Sequence, residues 1–425
     1  MLNIVRYGSS EAEERLKGIK ARAGKTSLEV RGAVEDIIAD IAEGGWAAVC
    51  RWSEKFDKAA PRRVSGRELT QARDKCDPGI IAALEKAAIN IRDYQFRLMP
   101  KAEIWSNPDG GRVGQLIRGL SCVGMYVPGG TAAYPSTVLM NAIPAKVAGV
   151  GRLVMATPPT GYLKNEVLAA ALIAGVDEVW AVGGAQAIAS MAFGCGDMPR
   201  ADKIVGPGNV YVTEAKRQMF GMIDIDMTAG PSEILVIADG TANPEWVAAD
   251  MLSQAEHDIL AGVTLVSDSI QLLENVNVQF MEQLSRLSRS DIAAAALSNY
   301  GVSILCDSLD QAAGIANVFA PEHLELIVGN PDELIPKIMN AGAIFVGAYS
   351  PEPVGDYIAG PSHVLPTSGT ARFFSPLSVD SFLKKTSVIE YGRGALLNSA
   401  KEIIRLADSE GLSAHAHSVR ARLDI

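Results

Sequence analysis

CVGMYVPGG (122–130) and RLVMATPPTG (152–161) begin a pattern that decides the fold, and VDEVWAVGGAQAIASMAFG (176–194) and KIVGPGNVYVTEAKRQM (203–219) repeat it. In each stretch a short apolar run ends at glycine or proline. Segments rich in alanine and other helix-forming residues follow or lie between these runs. Strands and helices that alternate at this spacing predict a parallel, doubly wound sheet.

A second series of the same kind follows in the chain. Its apolar runs are separated by a helix near Trp246 to His257 and by a long helix from about Ser269, and they read EILVIAD (233–239), GVTLVSD (262–268), HLELIVG (323–329) and AIFVG (343–347). The break near Gly230-Pro231-Ser232 suits a boundary because glycine and proline interrupt both helix and strand. We therefore expect two similar α/β halves.

The regions outside these two series have a helical pattern. Residues 27–98 carry apolar side chains at three- and four-residue spacing until Gly44-Gly45 interrupts them. After about Ser375 the chain again reads as mainly helical. The first of these regions looks like a packing layer without chemistry of its own.

Composition narrows the class of function. The 425 residues correspond to two to four domains at roughly 100–200 residues each. The net charge is −10 and no Lys/Arg-rich run is present, which argues against nucleic acid and anionic membranes as partners. No apolar run reaches the roughly 18–20 residues of a membrane span, and the polar start is unlike a secretory signal. A cytoplasmic protein that acts on a small molecule is expected.

The five cysteines are scattered and never spaced as C-x-x-C, so neither a disulfide framework nor a thiolate metal site is predicted. All five histidines, in contrast, lie at residue 257 or later. Gln254 and His257 are three positions apart and face one side of a helix, where both can reach one metal ion. The alternative is a polar helix end. A metal site would need a further carboxylate and a further histidine.

Three later segments offer such partners. Glu322-His323 joins a carboxylate to an imidazole, although neighbouring residues at the start of a strand point to opposite faces unless the backbone bends; otherwise they are a polar pair at a strand edge. Asp356 lies in SPEPVGDYIAGPSHVLPT (350–367), which is too irregular for a helix and too long for a bare connector. Glu410 and His415 lie in the tail, where the alternative is solvated surface.

Glycine-rich turns at predicted strand ends are candidate phosphate sites, because their backbone N–H groups can face an anion. They are Pro128-Gly129-Gly130, Gly183-Gly184 and Gly206-Pro207-Gly208. None is a G-x-G-x-x-G fingerprint, and Gly149-Val150-Gly151 precedes a strand, which is the wrong order. Each can equally be a structural turn.

Taken together, these motifs resemble the histidinol dehydrogenase family over nearly the whole chain. The blocks that carry the resemblance are, in order, VGMYVPGG, GGAQAIA, VGPGNVYV, AGPSEILVIAD, SQAEHD, APEHLEL, GDYIAGPSHVLPT and EGLSAHAHSVRAR. The resemblance implies two incomplete Rossmann-like α/β domains, a small helical C-terminal domain and a short N-terminal segment. We expect the N-terminal segment at 1–21, a first α/β domain from 22–124 with 234–374, an inserted α/β domain at 125–233 and the tail at 375–425.

The resemblance also assigns roles to residues of this sequence. It implies one zinc ion per subunit, with the ligands Gln254, His257, Asp356 and His415. It implies that Glu322 and His323 are the acid/base pair. The substrate would contact the zinc ligands, His323, and in addition Ser232 and Glu410. Contacts to NAD would come from Tyr126, Gln186 and Asn209.

The implied reaction is the last step of histidine biosynthesis, in which L-histidinol is oxidised through L-histidinal to L-histidine by two NAD molecules. The resemblance further implies a homodimer whose C-terminal tail crosses to the partner, so that Glu410 and His415 complete the neighbour's site. The alternatives are a related zinc/NAD-dependent dehydrogenase of another small diol, such as a sulfopropanediol, and a catalytically silent, zinc-stabilised dimer. We expect His363 and His417 to order loops or lie on the surface, and no cysteine to act as a nucleophile.

Overall fold

The computed structural model describes residues 2–22, 27–129, 134–159, 163–228 and 230–423. Gly130 of the first predicted phosphate turn therefore lies outside the described residues. Within those ranges no helix is both long and apolar enough to cross a membrane.

Strands and helices alternate through most of the described chain. The strands are β1 (Ile4–Arg6), β2 (Arg62–Val64), β3 (Ile104–Ser106), β4 (Arg112–Gly119), β5 (Cys122–Tyr126), β6 (Arg152–Thr157), β7 (Glu178–Ala181), β8 (Lys203–Val205), β9 (Asp224–Ile225), β10 (Glu233–Ala238), β11 (Gly262–Ser267), β12 (Gly301–Leu305), β13 (His323–Ile327), β14 (Ala343–Val346) and β15 (Leu383–Glu390). The helices are α1 (Ser10–Ala21), α2 (Leu28–Phe56), α3 (Gly66–Lys75), α4 (Pro78–Arg97), α5 (Pro135–Val147), α6 (Asn165–Ala174), α7 (Gly184–Phe193), α8 (Val210–Met219), α9 (Pro244–Ala255), α10 (Ile270–Leu284), α11 (Ser290–Tyr300), α12 (Leu309–Phe319), α13 (Glu352–Tyr357), α14 (Arg393–Ser409) and α15 (Ser413–Leu423).

Two six-stranded sheets form the centres of the molecule. Sheet I has the order β2-β7-β6-β5-β8-β9 and is parallel except for β2, which runs antiparallel to β7. Sheet II has the order β1-β12-β11-β10-β13-β14 and is parallel throughout. The chain passes from one sheet to the other at the predicted break near residues 230–232. The predicted α/β class with two doubly wound sheets is confirmed.

Both sheets are covered on two faces, which explains their continuous apolar strands. In β10 Ile234 and Val236 pack into one core while Leu235 and Ile237 pack into the core on the other side. The same division holds in sheet I, where α3 to α6 cover one face and α2, α7 and α8 cover the other. A strand buried on both faces has no polar side, as is typical of parallel sheets.

Two segments pack differently from the grouping in the predicted domains. The helices α2, α3 and α4 were expected with residues 234–374, but they pack on sheet I together with β5 and β6. Of these helices, α4 also contacts the expected range, since Asn90 Nδ2 donates to the Ile358 carbonyl oxygen at 2.7 Å. The segment 1–21 was expected on its own, but β1 is the edge strand of sheet II and α1 buries Ala12 and Ile19 in that core. An amphipathic stripe shows that a helix covers a sheet, but it does not show which of two similar sheets it covers.

The kink in α2 and the C-terminal tail were also predicted from the sequence. The predicted interruption at Gly44-Gly45 is confirmed, because Gly45 has φ 53° and ψ −138° and kinks α2. The tail, however, is not wholly helical: β15 pairs antiparallel with β4, and β3 completes a three-stranded sheet. This pairing joins segments about 270 residues apart, so the local sequence pattern does not predict it.

Candidate metal and acid–base site

The candidate site lies at the amino edge of sheet II. Glu233 begins β10, His323 begins β13, and His257 precedes β11 in the loop that follows α9. Ligands in open α/β sheets more often bind at the carboxyl edge. Here the amino edge gathers three polar residues because the starts of adjacent parallel strands lie side by side.

Glu322 and His323 point into one space although they are neighbours in sequence. Glu322 Oε2 lies 3.8 Å from His323 Nδ1, and both side chains are buried. The bend required for this comes just before the pair, where Ala320 ends α12 in the left-handed conformation at φ 52°. The loop-like geometry that a shared role demands is therefore present.

Main-chain atoms of Glu233 orient this pair. The N–H of Glu233 donates to Glu322 Oε2 at 2.9 Å, and His323 Nδ1 lies 3.1 Å from the Glu233 carbonyl oxygen. Since a carbonyl oxygen only accepts, Nδ1 carries the proton and Nε2 presents a lone pair. The carboxylate of Glu233 pairs with the buried Arg22 and accepts from the N–H of Ser368.

Burial sets the protonation of the pair. Desolvation lowers the pKa of His323 to about 3, so its imidazole is neutral at physiological pH. Desolvation raises the pKa of Glu322 well above its ordinary value, against the opposing effect of the Glu233 N–H. A neutral imidazole with a free Nε2 can accept a proton, and a carboxylate whose pKa is raised by burial is a stronger base than an exposed one.

A candidate cation site adjoins the pair. One ligand atom each of His257, Glu352 and Asp356 lies within 4.8 Å of the other two. Gln254 belongs to the same region, because its Nε2 lies 3.4 Å from His257 Nδ1. Burial raises the pKa of Asp356 to about 6. Desolvation lowers the pKa of His257, although part of the residue is exposed.

Buried polar atoms around this space support a bound cation and ligand. Among the described residues, Gln254 Oε1, His323 Nε2 and Glu352 Oε1 are buried without a hydrogen-bond partner. Each such atom costs about 1–3 kcal/mol unless something pairs with it. Amide, carboxylate and imidazole donors suit a divalent ion such as zinc. The predicted metal residues Gln254, His257 and Asp356 thus fit a metal.

Glu352 was not predicted from the sequence. No helix was expected in 350–367, but α13 forms one short helix that places Glu352 and Asp356 four residues apart on one face. Pro351 caps this helix at its amino end, where the missing N–H of proline costs no helical hydrogen bond. Gly355 allows the helix to approach β14, because a Cβ there would lie 2.6 Å from the Phe345 ring. The i, i+4 carboxylates were the signal available in the sequence.

His363 orders the loop, as expected, and also links the two sheets. Its Nδ1–H donates to the carbonyl oxygen of Asp356 at 3.1 Å, and the Thr137 hydroxyl lies 3.3 Å from its Nε2. Thr137 belongs to α5, which follows a strand of sheet I. This contact fixes the backbone of a candidate metal ligand and ties the site to the carboxyl edge of sheet I.

The predicted cofactor residues lie at that edge. The N–H of Gly184 donates to the Tyr126 hydroxyl at 3.1 Å, and Gln186 Nε2 lies 3.2 Å from Asp57 Oδ2. The turn that leads to Asn209 packs on the same strand end, because a Cβ on Gly206 would lie 2.1 Å from the Tyr126 carbonyl oxygen. Asn209 itself caps α8 by accepting from the N–H groups of Tyr211 and Val212.

The glycine-rich turns do not present all their N–H groups to a ligand. Asp57 Oδ2 accepts from the N–H of Gly183, and Asp226 Oδ2 accepts from the N–H of Gly206. Two of the predicted phosphate turns are thus partly capped by carboxylates of the chain. We conclude that these two turns are at least partly structural.

Ser232, Glu410 and His415 are the remaining predicted site residues. Ser232 is half-buried next to Glu233, where its carbonyl oxygen accepts from the N–H of Gly262. Glu410 and His415 are exposed at the junction of α14 and α15, and the cation cluster found among the described residues includes neither. All five cysteines are free, and four of them are buried.

Comparison with known proteins identifies the family. The sequence model for histidinol dehydrogenase matches residues 20–423. The chain is 48% identical to the histidinol dehydrogenase of Clostridium acetobutylicum, over 99% of each chain, and 49% identical to that of Heliobacterium mobile, over the full length of both. This chain belongs to the histidinol dehydrogenase family. The family consists of NAD-dependent oxidoreductases that use a metal, and its metal requirement agrees with the candidate site.

Solved structures agree with this assignment. The structure resembles that of histidinol dehydrogenase from Elizabethkingia anophelis with a TM-score of 0.94 and 37% identity, over 100% of this chain and 98% of the other. An acetylating aldehyde dehydrogenase from Geobacillus thermoglucosidasius matches with a TM-score of 0.50 and 13% identity, over 90% and 96% of the chains. The second likeness concerns the fold alone.

Proposed function

We propose that this protein oxidises L-histidinol through L-histidinal to L-histidine, with transfer of two hydrides to two NAD molecules. The observation that carries the proposal is the match to the family over the whole chain, combined with a candidate cation site beside a buried imidazole base. A cytoplasmic setting is part of the proposal, since the family serves amino-acid biosynthesis.

His323 is the proposed base for the alcohol proton. Its Nδ1–H is held by the Glu233 carbonyl oxygen, so the lone pair of Nε2 has a fixed direction. Because burial keeps the ring neutral, it can accept a proton as the hydride leaves. Glu322 is proposed to activate the water that hydrates L-histidinal, and its carboxyl group is held by the N–H of Glu233.

Gln254, His257 and Asp356 are the proposed ligands of one zinc ion, with His415 of a second subunit as the fourth. Zinc bound there would act as a Lewis acid that accepts lone pairs from the neutral amine and imidazole nitrogens of the substrate. His323 also faces this space and is proposed to contact the substrate. The backbone of Asp356 is fixed by His363, which keeps its carboxylate in place.

Ser232 and Glu410 are proposed as further substrate contacts, with Glu410 supplied by the second subunit. This role for the tail requires a homodimer. It is supported by the exposure of Glu410 and His415 and by the packing of α14 on α15 through the small cluster Ala400, Val419 and Leu423. Exchange of an identical element between two protomers is a common route to such dimers.

Tyr126, Gln186 and Asn209 are the proposed NAD contacts. Tyr126 ends β5, Gln186 lies in the first turn of α7, and Asn209 caps α8. All three are at the carboxyl edge of sheet I, which is the usual edge for nucleotides in doubly wound sheets. Desolvation raises the pKa of Tyr126 to about 12, so its hydroxyl stays protonated and can donate to a ligand. Bound NAD would serve as the hydride acceptor.

The test is the number of NADH molecules formed per L-histidinol consumed, measured with limiting substrate and with or without a chelator. We expect two NADH per substrate and loss of activity on chelation. One NADH per substrate would mean that oxidation stops at the aldehyde, and no NADH would refute the proposal. Oxidation of another small diol is not favoured, because the whole-chain relatives are named histidinol dehydrogenase. A silent dimer is not favoured either, since the Glu322-His323 pair is intact.

A further inference from the structure

We propose that Glu352 is an additional ligand of the metal ion in the substrate-free protein, supplied by the same chain as His257 and Asp356. This inference rests on the proposed metal site and adds Glu352 to the ligands that the family motifs imply. The helix α13 carries Glu352 and Asp356 on one face.

The carboxylate of Glu352 is aimed into the cation site. One of its oxygens belongs to the cluster in which the ligand atoms of His257, Glu352 and Asp356 lie within 4.8 Å of one another. The residue is 2% exposed, so water does not solvate its carboxylate freely. A buried carboxylate needs a charged or hydrogen-bonding partner to offset the cost of its desolvation.

The protein supplies partners for only part of this residue. The N–H of Glu352 donates to Glu325 Oε1 at 3.0 Å, which fixes the start of α13. The Ser253 hydroxyl lies 3.4 Å from Glu352 Oε2. Glu352 Oε1 has no hydrogen-bond partner among the described residues. Its orientation is therefore set by the protein while one oxygen is left for another group.

The atoms nearest to that oxygen do not offer it a proton. His323 Nε2 lies 3.8 Å from Glu352 Oε1, but this nitrogen carries a lone pair because Nδ1–H is committed to the Glu233 carbonyl oxygen. The Asp356 carboxylate is also an acceptor. Gln254 Oε1 is a second buried acceptor without a partner in the described chain. A divalent cation can pair with Glu352, Asp356 and Gln254 at once, while the lone pair of His323 Nε2 stays free to accept a proton.

The experiment measures zinc affinity without substrate or NAD, so it does not depend on catalysis. Full-length protein is stripped of metal and titrated with zinc in competition with a chromophoric chelator. The variant is Glu352→Gln, which keeps the shape of the side chain and removes its charge. The positive control is His257→Asn, and the matched control is Glu256→Gln, which removes an equal charge beside His257 outside the cluster.

We expect Glu352→Gln to weaken zinc binding by at least about 10-fold, because even residues that only orient a ligand contribute about 10- to 100-fold. Glu256→Gln is expected to weaken zinc binding by no more than about threefold, because a partly exposed charge outside the cluster contributes little. X-ray absorption of the zinc-loaded protein should show one light-atom ligand fewer in Glu352→Ala, because alanine offers no side-chain oxygen whereas the amide oxygen of Glu352→Gln can still reach the metal. Glu352→Asp, which retains the charge on a shorter side chain, should bind zinc with intermediate affinity.

Two results would overturn the inference in different ways. Parent-like zinc affinity in Glu352→Gln and parent-like coordination in Glu352→Ala, with weak binding in His257→Asn, would show that the metal site stands and that Glu352 only faces His323. Parent-like binding in both Glu352→Gln and His257→Asn would refute the metal site itself. Circular dichroism and thermal unfolding of the metal-free variants check that weakened binding does not come from misfolding.

Discussion

Replacing His323 by Asn separates the proposed base from the proposed metal site. The amide N–H₂ of Asn occupies the place of Nδ1 and can keep the bond to the Glu233 carbonyl oxygen, whereas nothing replaces Nε2. Loss of a general base lowers turnover by about 100- to 10,000-fold. The smaller side chain leaves a void beside Phe345, whose ring centroid lies 5.9 Å from that of His323, so the free energy of unfolding should fall by about 1–2 kcal/mol.

The assay combines NADH formation from L-histidinol with the zinc content of the purified protein. His323→Asn should keep one zinc per subunit, whereas His257→Asn should lose both zinc and activity. His417→Asn, in the exposed tail, serves as a control for histidine loss. Turnover of His323→Asn within a factor of ten of the parent would refute its role as the base. Equal zinc loss in the His323 and His257 variants would refute the division of roles.

Three further predictions concern the same site. Mixing Asp356→Ala chains with His415→Ala chains should restore part of the activity lost in each, because one intact site would form per heterodimer; verified heterodimers without recovery would favour a site within one chain. Burial raises the pKa of Asp356 from 3.8 to about 6, so between these pH values the folded protein binds more protons than the unfolded chain and stability falls as the pH rises. In chelator, Asp356→Asn should therefore increase the free energy of unfolding by about 1–3 kcal/mol near pH 7, with no gain below about pH 4, and denaturant unfolding at both pH values checks this. His363→Ala removes the bond to the Asp356 carbonyl oxygen and should weaken zinc binding by about 10- to 100-fold, while Thr137→Val should have a smaller effect; the same competition titration measures both, and parent-like affinity in His363→Ala would contradict the role of this bond.

The metal residues of the candidate site were expected outright, whereas the Glu322-His323 pair was expected only on a condition. Gln254, His257 and Asp356 were expected from their motifs, and the structure brings them to one region. Glu322 and His323 were expected as a pair only if the backbone bends, and the bend is found at Ala320. The roles of these residues stay predictions until the variants are measured.

Glu352 and Glu233 could not be found in the same way. Glu352 lies between two prolines, which favoured a loop, and only its packing against Glu325 and Ser253 shows that a helix begins there. Glu233 orients the Glu322-His323 pair through its main-chain N–H and carbonyl oxygen. Such contacts are possible for any non-proline residue, so the residue type does not predict them. A site made of backbone groups and distant carboxylates depends on the packing of the whole chain.

The sequence by itself determined the α/β class, the family and most of the chemistry-bearing residues. Apolar runs that end in glycine define strands locally, and the motifs keep their order along the chain. Only the tertiary structure decided which sheet each helix covers, that β1 and β15 extend sheets far from them in sequence, and that the site occupies the amino edge of sheet II. These features depend on non-local contacts, and similar apolar faces can satisfy the same hydrophobic pattern in more than one arrangement.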